Sequence, residues 1–363
     1  MSRDIFEELF VLEMANNHLG KLERGLKIVN TLSQIVRFNN VRASIKLQFR
    51  DVDTFIHKEY TNRSDIRYIK KTLDTKMSKD DMATLVTAIR KSGCIPMTTP
   101  FDEASVDFAV ECGIQILKIA SSDLNDWPLI EKIAKTKKPA IVSTGGSSLK
   151  DLDDLVTFFE NRNIPLAINH CVSLYPSEDH NIELNQIDFL KNRYQNHTIG
   201  LSTHEYHSWD YSIMMAYSKG ARTFERHVDI EDEGISVSPY NSLPHQVDQW
   251  FKAFHKAKEM CGNPGTSKRI PSKEEINYLD SLVRGVYAKR NLSEGYTLKH
   301  EDIDNDVYLA VPLLKGQISC RELMSGEVLL KPIMKDEPIL IDLIDSPYSY
   351  DESLKQQIYN RGI

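Results

Sequence analysis

TIGLSTHEYHSWDYSIMMAYSKGARTFERHV (198–228) holds one complete turn of the architecture. It opens on a strand-like run, TIGLSTH (198–204), passes through a helical run, YSIMMAYSKG (211–220), and returns to a second strand-like run, ARTFERHV (221–228). Two strands joined through a helix point the same way, because the helix carries the chain back to its starting edge. Side chains along a strand alternate between two faces. In the first run Ile199, Leu201 and Thr203 oppose Gly200, Ser202 and His204; in the second Phe224, Arg226 and Val228 oppose Thr223, Glu225 and His227. The more apolar faces suit a layer of helices, and the other faces carry hydroxyl, imidazole and carboxylate.

The same unit recurs toward the N-terminus. Strand candidates lie at LFVLEMA (9–15), RASIKLQF (42–49), CIPMTTP (94–100), ILKIASS (116–122), PAIVSTG (139–145) and PLAINHC (165–171), with amphipathic runs between them. Together with the two runs above, they make eight strands alternating with helices over about 250 residues, the usual size of a (β/α)8 TIM barrel. An open doubly wound sheet is the alternative, and the lack of G-x-G-x-x-G after the first strand counts against its dinucleotide-binding form. The reading is therefore α/β: a (β/α)8 barrel over 1–262 with a small β-rich C-terminal domain. Residues 263–282 read as a linker, rich in Gly, Pro, Ser and charge. Over 283–345, VYAKRNL (286–292), VYLAVPL (307–313), EVLLKPI (327–333) and PILIDLI (338–344) are strand-like, split by the turn signals SEG (293–295), LKG (314–316) and MSG (324–326). The last stretch, 346–363, reads as a loosely held polar tail.

The totals exclude several classes. A formal net charge of -7, from 45 basic and 52 acidic side chains, disfavours a nucleic-acid or anionic-membrane surface. The 5 cysteines are widely spaced without a C-x-x-C, so neither a disulfide framework nor a zinc knuckle is indicated, and a cytoplasmic location is expected. No run approaches the roughly 18 apolar residues of a membrane span.

In a barrel the polar strand faces point into the lumen and end at the carboxyl ends of the strands, where barrel active sites lie. In the second strand Ala43, Ile45, Leu47 and Phe49 oppose Ser44, Lys46 and Gln48. Glu13, Lys46, Gln48, Lys118, Ser143, Ser202, His204, Glu225 and His227 are more polar groups than a packed core tolerates, since an unpaired buried charge costs several kcal/mol. They are expected to serve a ligand.

The segments EMANNHLG (13–20), KLQF (46–49), TTPFDEASVDF (98–108), KIASSDLNDWPLI (118–130), IVSTGGSS (141–148), NHCVSLYP (169–176), GLSTH (200–204) and FERHV (224–228) resemble, in order, those of the sialic acid synthases. This is the N-acetylneuraminate synthase group, with legionaminate and pseudaminate synthases and spore-coat polysaccharide relatives. The C-terminal domain resembles the antifreeze-like (SAF) module that follows the barrel there. The resemblance implies metal-dependent condensation of phosphoenolpyruvate with an N-acyl aldohexose, giving a nine-carbon sugar acid and phosphate. His204 and His227 would bind a divalent metal, manganese by family habit, with magnesium or cobalt admissible. Lys118, Ser121, Ser143 and Ser202 would hold the phosphate of phosphoenolpyruvate, and Lys46 and Thr99 its carboxylate. Glu13, Gln48, Tyr175 and Lys315 would meet the sugar. Asp123 stands where the family carries Glu, and joins Glu13, Lys46, Lys118 and the histidines as a catalytic candidate. A domain-swapped homodimer is implied as well.

Three departures fall where the resemblance puts the sugar. The family's PGPD-like segment becomes EDEGISVSPYNSL (231–243), with Ser238 read in place of Asp. Its Arg-Pro-Gly segment becomes AVPLLKGQ (310–317), with Val311 for Arg, and GLSDH becomes GLSTH, with Thr203 for Asp. A different acceptor from N-acetylmannosamine, or altered handling of its N-acyl and hydroxyl groups, is therefore expected. Two rivals stand beside this reading: a metal-dependent aldolase or lyase barrel, and a non-catalytic carbohydrate-binding pseudo-enzyme.

Overall fold

The structure, a computed structural model, describes residues 4–263, 265–299, 303–322 and 326–363. Pro264 of the linker and residues 324–325 of the last turn signal lie outside them. The chain divides into two compact units, Met1–Gly262 and Asn263–Ile363.

In the first unit eight parallel strands close in chain order into a barrel. They are β1 (Leu9–Glu13), β2 (Arg42–Phe49), β3 (Ile95–Pro100), β4 (Ile116–Ile119), β5 (Ala140–Ser143), β6 (Leu166–Cys171), β7 (Thr198–Thr203) and β8 (Thr223–His227), with β1 hydrogen-bonded to β8. The period-two alternation decides which side chains go where. Phe10, Leu12, Ala43, Ile45, Leu47, Phe49, Ile199, Leu201 and Phe224 pack outward into the main core shared with the helices. Phe10 shows how tightly: its ring centre lies 4.9 Å from Trp250, 4.8 Å from Phe251 and 4.9 Å from Phe254, all edge-on. Burying each such ring contributes roughly 1.5–3 kcal/mol. Inside the barrel, Leu9, Val11, Met97, Ile116, Ile141 and Ala167 form a separate apolar cluster with Phe6. They occupy the amino-terminal half of the lumen, and the polar residues follow them toward the carboxyl ends.

Register then sets the site. Glu13 is the pairing partner of Lys46 on one side and of His227 on the other, and Ser202 is paired with Glu225. Gly200 is needed where β6, β7 and β8 converge, because a Cβ there would overlap Thr223 Oγ1 and Asn169 Oδ1. A short helix, Arg67–Asp74, interrupts the connection after β2.

The second unit has its own core, including Val286, Ala288, Ile318, Ile339, Ile341, Ile344 and Ile358. Strands Gly285–Ala288 and Val307–Ala310 pair antiparallel, as do Val328–Leu329 and Ile344–Asp345. Two expectations are corrected here. The linker 263–282 contains a helix, Lys273–Asp280, whose Ser272 hydroxyl accepts from the Glu275 N–H at 3.2 Å; the S-x-x-E spacing was a legible cap. The tail 346–363 is not loose. It forms a helix over Glu352–Tyr359 that buries Ile358, and the Ile363 N–H donates to the Leu313 carbonyl at 3.0 Å. Its polar composition hid the residues that dock it, Ile358 and the partly buried Tyr359. Among the described residues, no helix is long and apolar enough to cross a membrane.

Candidate active site

The carboxyl ends of the strands open into a cavity of about 520 Å³. Twelve of the sequence-selected residues line it: Glu13, Lys46, Gln48, Thr99, Lys118, Ser121, Ser143, Tyr175, Ser202, His204, Glu225 and His227. The remaining two do not. Asp123 lies on the turn after β4, outside the cavity lining; its Oδ1 accepts from the Ser122 hydroxyl at 2.8 Å and burial raises its pKa. Lys315 belongs to the second unit, where its N–H donates to the Ile363 carbonyl at 3.2 Å.

Two buried lysines divide the cavity floor. Lys46 forms an ion pair with Glu13, sits 3.0 Å from Glu225 Oε1, and donates to Thr99 Oγ1 at 2.9 Å. Burial alone would depress its pKa, but Glu13 and Glu225 more than offset it, and the ammonium is held above the usual range. The carboxylates respond differently. Burial lifts Glu13 above the ordinary value despite Lys46, whereas at Glu225 the pull of Lys46 and Lys118 exceeds the effect of burial and lowers it. One cation between two carboxylates of unlike affinity makes Glu13 the natural resting place for a proton. Gln48 Nε2 donates to Glu13 Oε1 at 3.1 Å and fixes that carboxyl group.

Lys118 has no such company. Its Nζ donates to Ser143 Oγ at 2.6 Å and to the Ile119 carbonyl at 3.0 Å, and burial lowers its pKa. Among the described residues no carboxylate forms an ion pair with it. Beside it the Ser121 hydroxyl accepts from the Gly145 N–H at 3.1 Å, in a corner that a Cβ on Gly145 would fill by running into Ser173 and Ser121. Lysine, hydroxyls and a bare backbone turn together form a cradle for a tetrahedral anion.

His204 and His227 stand on adjacent strand ends with ring centres 5.4 Å apart. His204 is anchored by Nδ1 donating to the Val172 carbonyl at 3.0 Å, which leaves Nε2 for the cavity. Burial lowers His204 to about 4 and His227 well below its ordinary value, so both rings are neutral and keep a free lone pair at neutral pH. Imidazole–metal bonds are about 2.0–2.1 Å, so two neutral rings at this spacing can reach one divalent ion. Among the described residues no group of three His, Cys, Asp or Glu side chains completes a closed metal cage. The donor set fits an open site whose other positions fall to ligand oxygens.

The rest of the wall was only partly read from sequence. Tyr175 packs against His204, with ring centres 3.9 Å apart, and Tyr240 stands edge-on to His227 at 5.3 Å and to Tyr175 at 5.4 Å. Tyr240, not Ser238, lines the cavity. Matching Pro239 to the proline before the family's Asp would have pointed to it. Its loop is pinned from behind: Arg24 pairs with Asp229 at 2.6 Å, Asn241 donates to Asp229 at 3.5 Å, and Asn17 donates to the Val228 carbonyl at 2.8 Å. Thr203 is also reassigned. It faces away from the lumen and donates to the buried Glu205, whose carboxylate pairs with Arg226 at 2.8 Å. This change therefore touches the support of the two histidines and not the sugar side. Arg50, Tyr68 and Lys71 complete the rim and carried no motif.

Residues 39–265 match the model of the NeuB family. The fold is similar to a solved Chromobacterium violaceum protein assigned to spore coat polysaccharide biosynthesis (protein E), with a TM-score of 0.88, 35% identity, and coverage of 94% of this chain and 100% of that one. The N-acetylneuraminate-9-phosphate synthase of Drosophila melanogaster is 26% identical over 314 residues, 78% of this chain and 77% of its own. The N,N'-diacetyllegionaminic acid synthase of Campylobacter jejuni is 24% identical over 306 residues, 79% and 86% of the two chains.

Proposed function

The chain belongs to the NeuB family, and from that premise we propose that it condenses phosphoenolpyruvate with an open-chain N-acyl aldohexose to give a sialic-acid-like nonulosonic acid and phosphate. C3 of phosphoenolpyruvate bonds to the aldehyde carbon, water adds at C2, and the C2–O bond of the resulting tetrahedral centre breaks to release phosphate. The observation that carries this reading is Lys118: a buried ammonium that forms no ion pair with a carboxylate among the described residues, set against Ser143. Such a charge costs several kcal/mol until an anion arrives, and phosphate is the anion its hydroxyl neighbours suit.

In this scheme Lys118, Ser121, Ser143 and Ser202 hold the phosphate, while Lys46 and Thr99 receive the carboxylate of phosphoenolpyruvate. Lys46 already serves Glu13, Glu225 and Thr99, so the incoming carboxylate takes over one of its donors. Glu13, steadied by Gln48, orients the acceptor and moves a proton at its hydroxyl or aldehyde oxygen; Tyr175 supplies an apolar wall. A divalent ion, manganese by preference, with magnesium or cobalt as substitutes, would be held by His204 and His227 and would polarise the acceptor aldehyde. Holding two polar reactants side by side, with preset charges around them, supplies most of the rate. We propose further that the second unit is an antifreeze-like module that brings Lys315 to the acceptor in a domain-swapped, cytoplasmic homodimer.

The test is phosphate release with manganese and a panel of 2-acetamido aldohexoses. The proposal expects release only when phosphoenolpyruvate and an aldose are both present. Release without an aldose, or cleavage of a nonulosonic acid as the sole activity, would overturn it.

A further inference from the structure

We propose that Arg226, with Glu205 as its counter-ion, is a positioning residue for the metal. From behind the barrel wall it fixes the spacing of His204 and His227, and so sets the affinity for a divalent ion. The inference rests on the metal reading above and adds the side chains that build that spacing.

The ladder between β7 and β8 ends at the pair Thr203 and Arg226, one residue before each histidine. The two imidazoles therefore stand just past the last paired residues of their strands. The Arg226 side chain carries the connection onward. Its Nη2 donates to the Glu205 carbonyl at 2.6 Å, its Nη1 lies 2.8 Å from Glu205 Oε1, and its Nε donates to Ser242 Oγ at 3.0 Å. The Ser242 N–H in turn donates to the His227 carbonyl at 2.8 Å. One planar fork, borne by the residue before His227, thus holds the residue after His204 and the segment bonded to the His227 backbone.

Glu205 is constrained as closely. Its carboxylate accepts from the Thr203 and Ser212 hydroxyls besides pairing with Arg226, and both members of the pair are fully buried. The other side of His204 is pinned separately: the Ser177 N–H donates to its carbonyl at 3.1 Å, and its ring donates to the Val172 carbonyl at 3.0 Å. Neither Arg226 nor Glu205 lines the cavity, so neither meets a substrate. A buried ion pair adds little net stability over apolar residues of the same volume. What this one supplies is a fixed geometry. Metal–imidazole bonds tolerate deviations of only about 0.2 Å, so the separation of two rings with centres 5.4 Å apart decides how well one ion is shared.

The test titrates substrate-free protein with Mn2+ and reads the free ion by electron paramagnetic resonance, so no turnover is involved. Arg226→Met combined with Glu205→Leu removes both charges and keeps most of the volume. Its unfolding midpoint should hold, while manganese binding weakens by about tenfold or more. Phosphoenolpyruvate affinity, measured by calorimetry on metal-free protein, should stay within about twofold, because its lysines and hydroxyls are held by other contacts. Arg226→Lys keeps the charge and loses the fork; it should weaken manganese about fivefold, and it keeps the test open if the double variant does not fold. A pair that is merely structural would move the midpoint and leave manganese affinity alone. Unchanged manganese affinity in the folded variants, or parallel loss of manganese and phosphoenolpyruvate binding, overturns this inference and leaves the metal reading standing. Wild-type protein that binds no manganese overturns both.

Discussion

Single residues carry the sharpest expectations. Replacing Lys118 by Met keeps the bulk of the side chain and removes a buried charge that forms no ion pair with a carboxylate among the described residues. Turnover should fall by roughly 10²–10³-fold, the usual loss when one preset stabilising group is removed. The midpoint of thermal unfolding should hold or rise; a large fall in stability would show Lys118 to be a structural ammonium. The imidazoles make a pH prediction for metal-free protein. His18 and His204 are lowered by burial to about 4 from 6.5, so between those values the unfolded chain binds the proton first. Their contribution to stability is complete above pH 6.5 and is lost as pH falls toward 4, at up to roughly 1.4 kcal/mol per pH unit for each ring. Melting curves from pH 7 to 4, with chelator present, should show this decline. His18→Asn keeps an acceptor for the Gly20 N–H, now made by His18 Nδ1 at 3.0 Å, and should flatten the curve. A midpoint independent of pH would contradict the burial of neutral rings.

Among the elements, the strands were the legible part. RASIKLQF reads as a strand because branched and apolar residues alternate with polar ones, and it forms β2 over that same span. The alternation also predicted which members of β7 and β8 face the lumen, and hence that His204 and His227 would meet. What was not legible lies off the strands. Tyr240 and Lys71 reach the cavity from connections whose paths depend on remote contacts such as Arg24 with Asp229, and no local period records those. Thr203 is misplaced when its position in the motif is given more weight than the outward strand face that the alternation assigns it. The partner it supports can be tested. Glu205→Gln leaves Arg226 buried without its counter-charge and should cost about 3–5 kcal/mol in denaturant unfolding. Moving the carboxylate two residues along, as Thr203→Asp with Glu205→Thr, keeps it on the same strand face and should recover at least half of that. Gly200→Ala, by contrast, should destabilise by about 1–3 kcal/mol, because the lumen at β7 has no space for another carbon.

On the scale of the whole molecule, the two units have separate cores, one around the barrel strands and one around Val286 and Ile318. The first should therefore survive alone. A chain ending at Gly262 is expected to unfold in a single cooperative transition and to bind phosphoenolpyruvate with affinity within about threefold of the full chain, as calorimetry would show. If the second unit serves the acceptor, the truncation should raise the aldose KM by at least tenfold. An aldose KM that stays the same would remove Lys315 from the site. The division itself was legible from Gly, Pro and charge near residue 263; the linker helix showed only its Ser272 cap, and the tail helix was hidden by a polar composition that docks through Ile358 and Tyr359.

Among the described residues, the hydrocarbon plug made by Phe6, Leu9, Val11, Met97, Ile116, Ile141 and Ala167 closes one end of the barrel and leaves the doorway at the other. Traffic through a blind-ended vessel obeys a queue. On the proposed condensation, the reactant whose berth lies beside Lys118 would board before the one near the threshold, and whatever is shed at the far wall would wait for the outer passenger to leave.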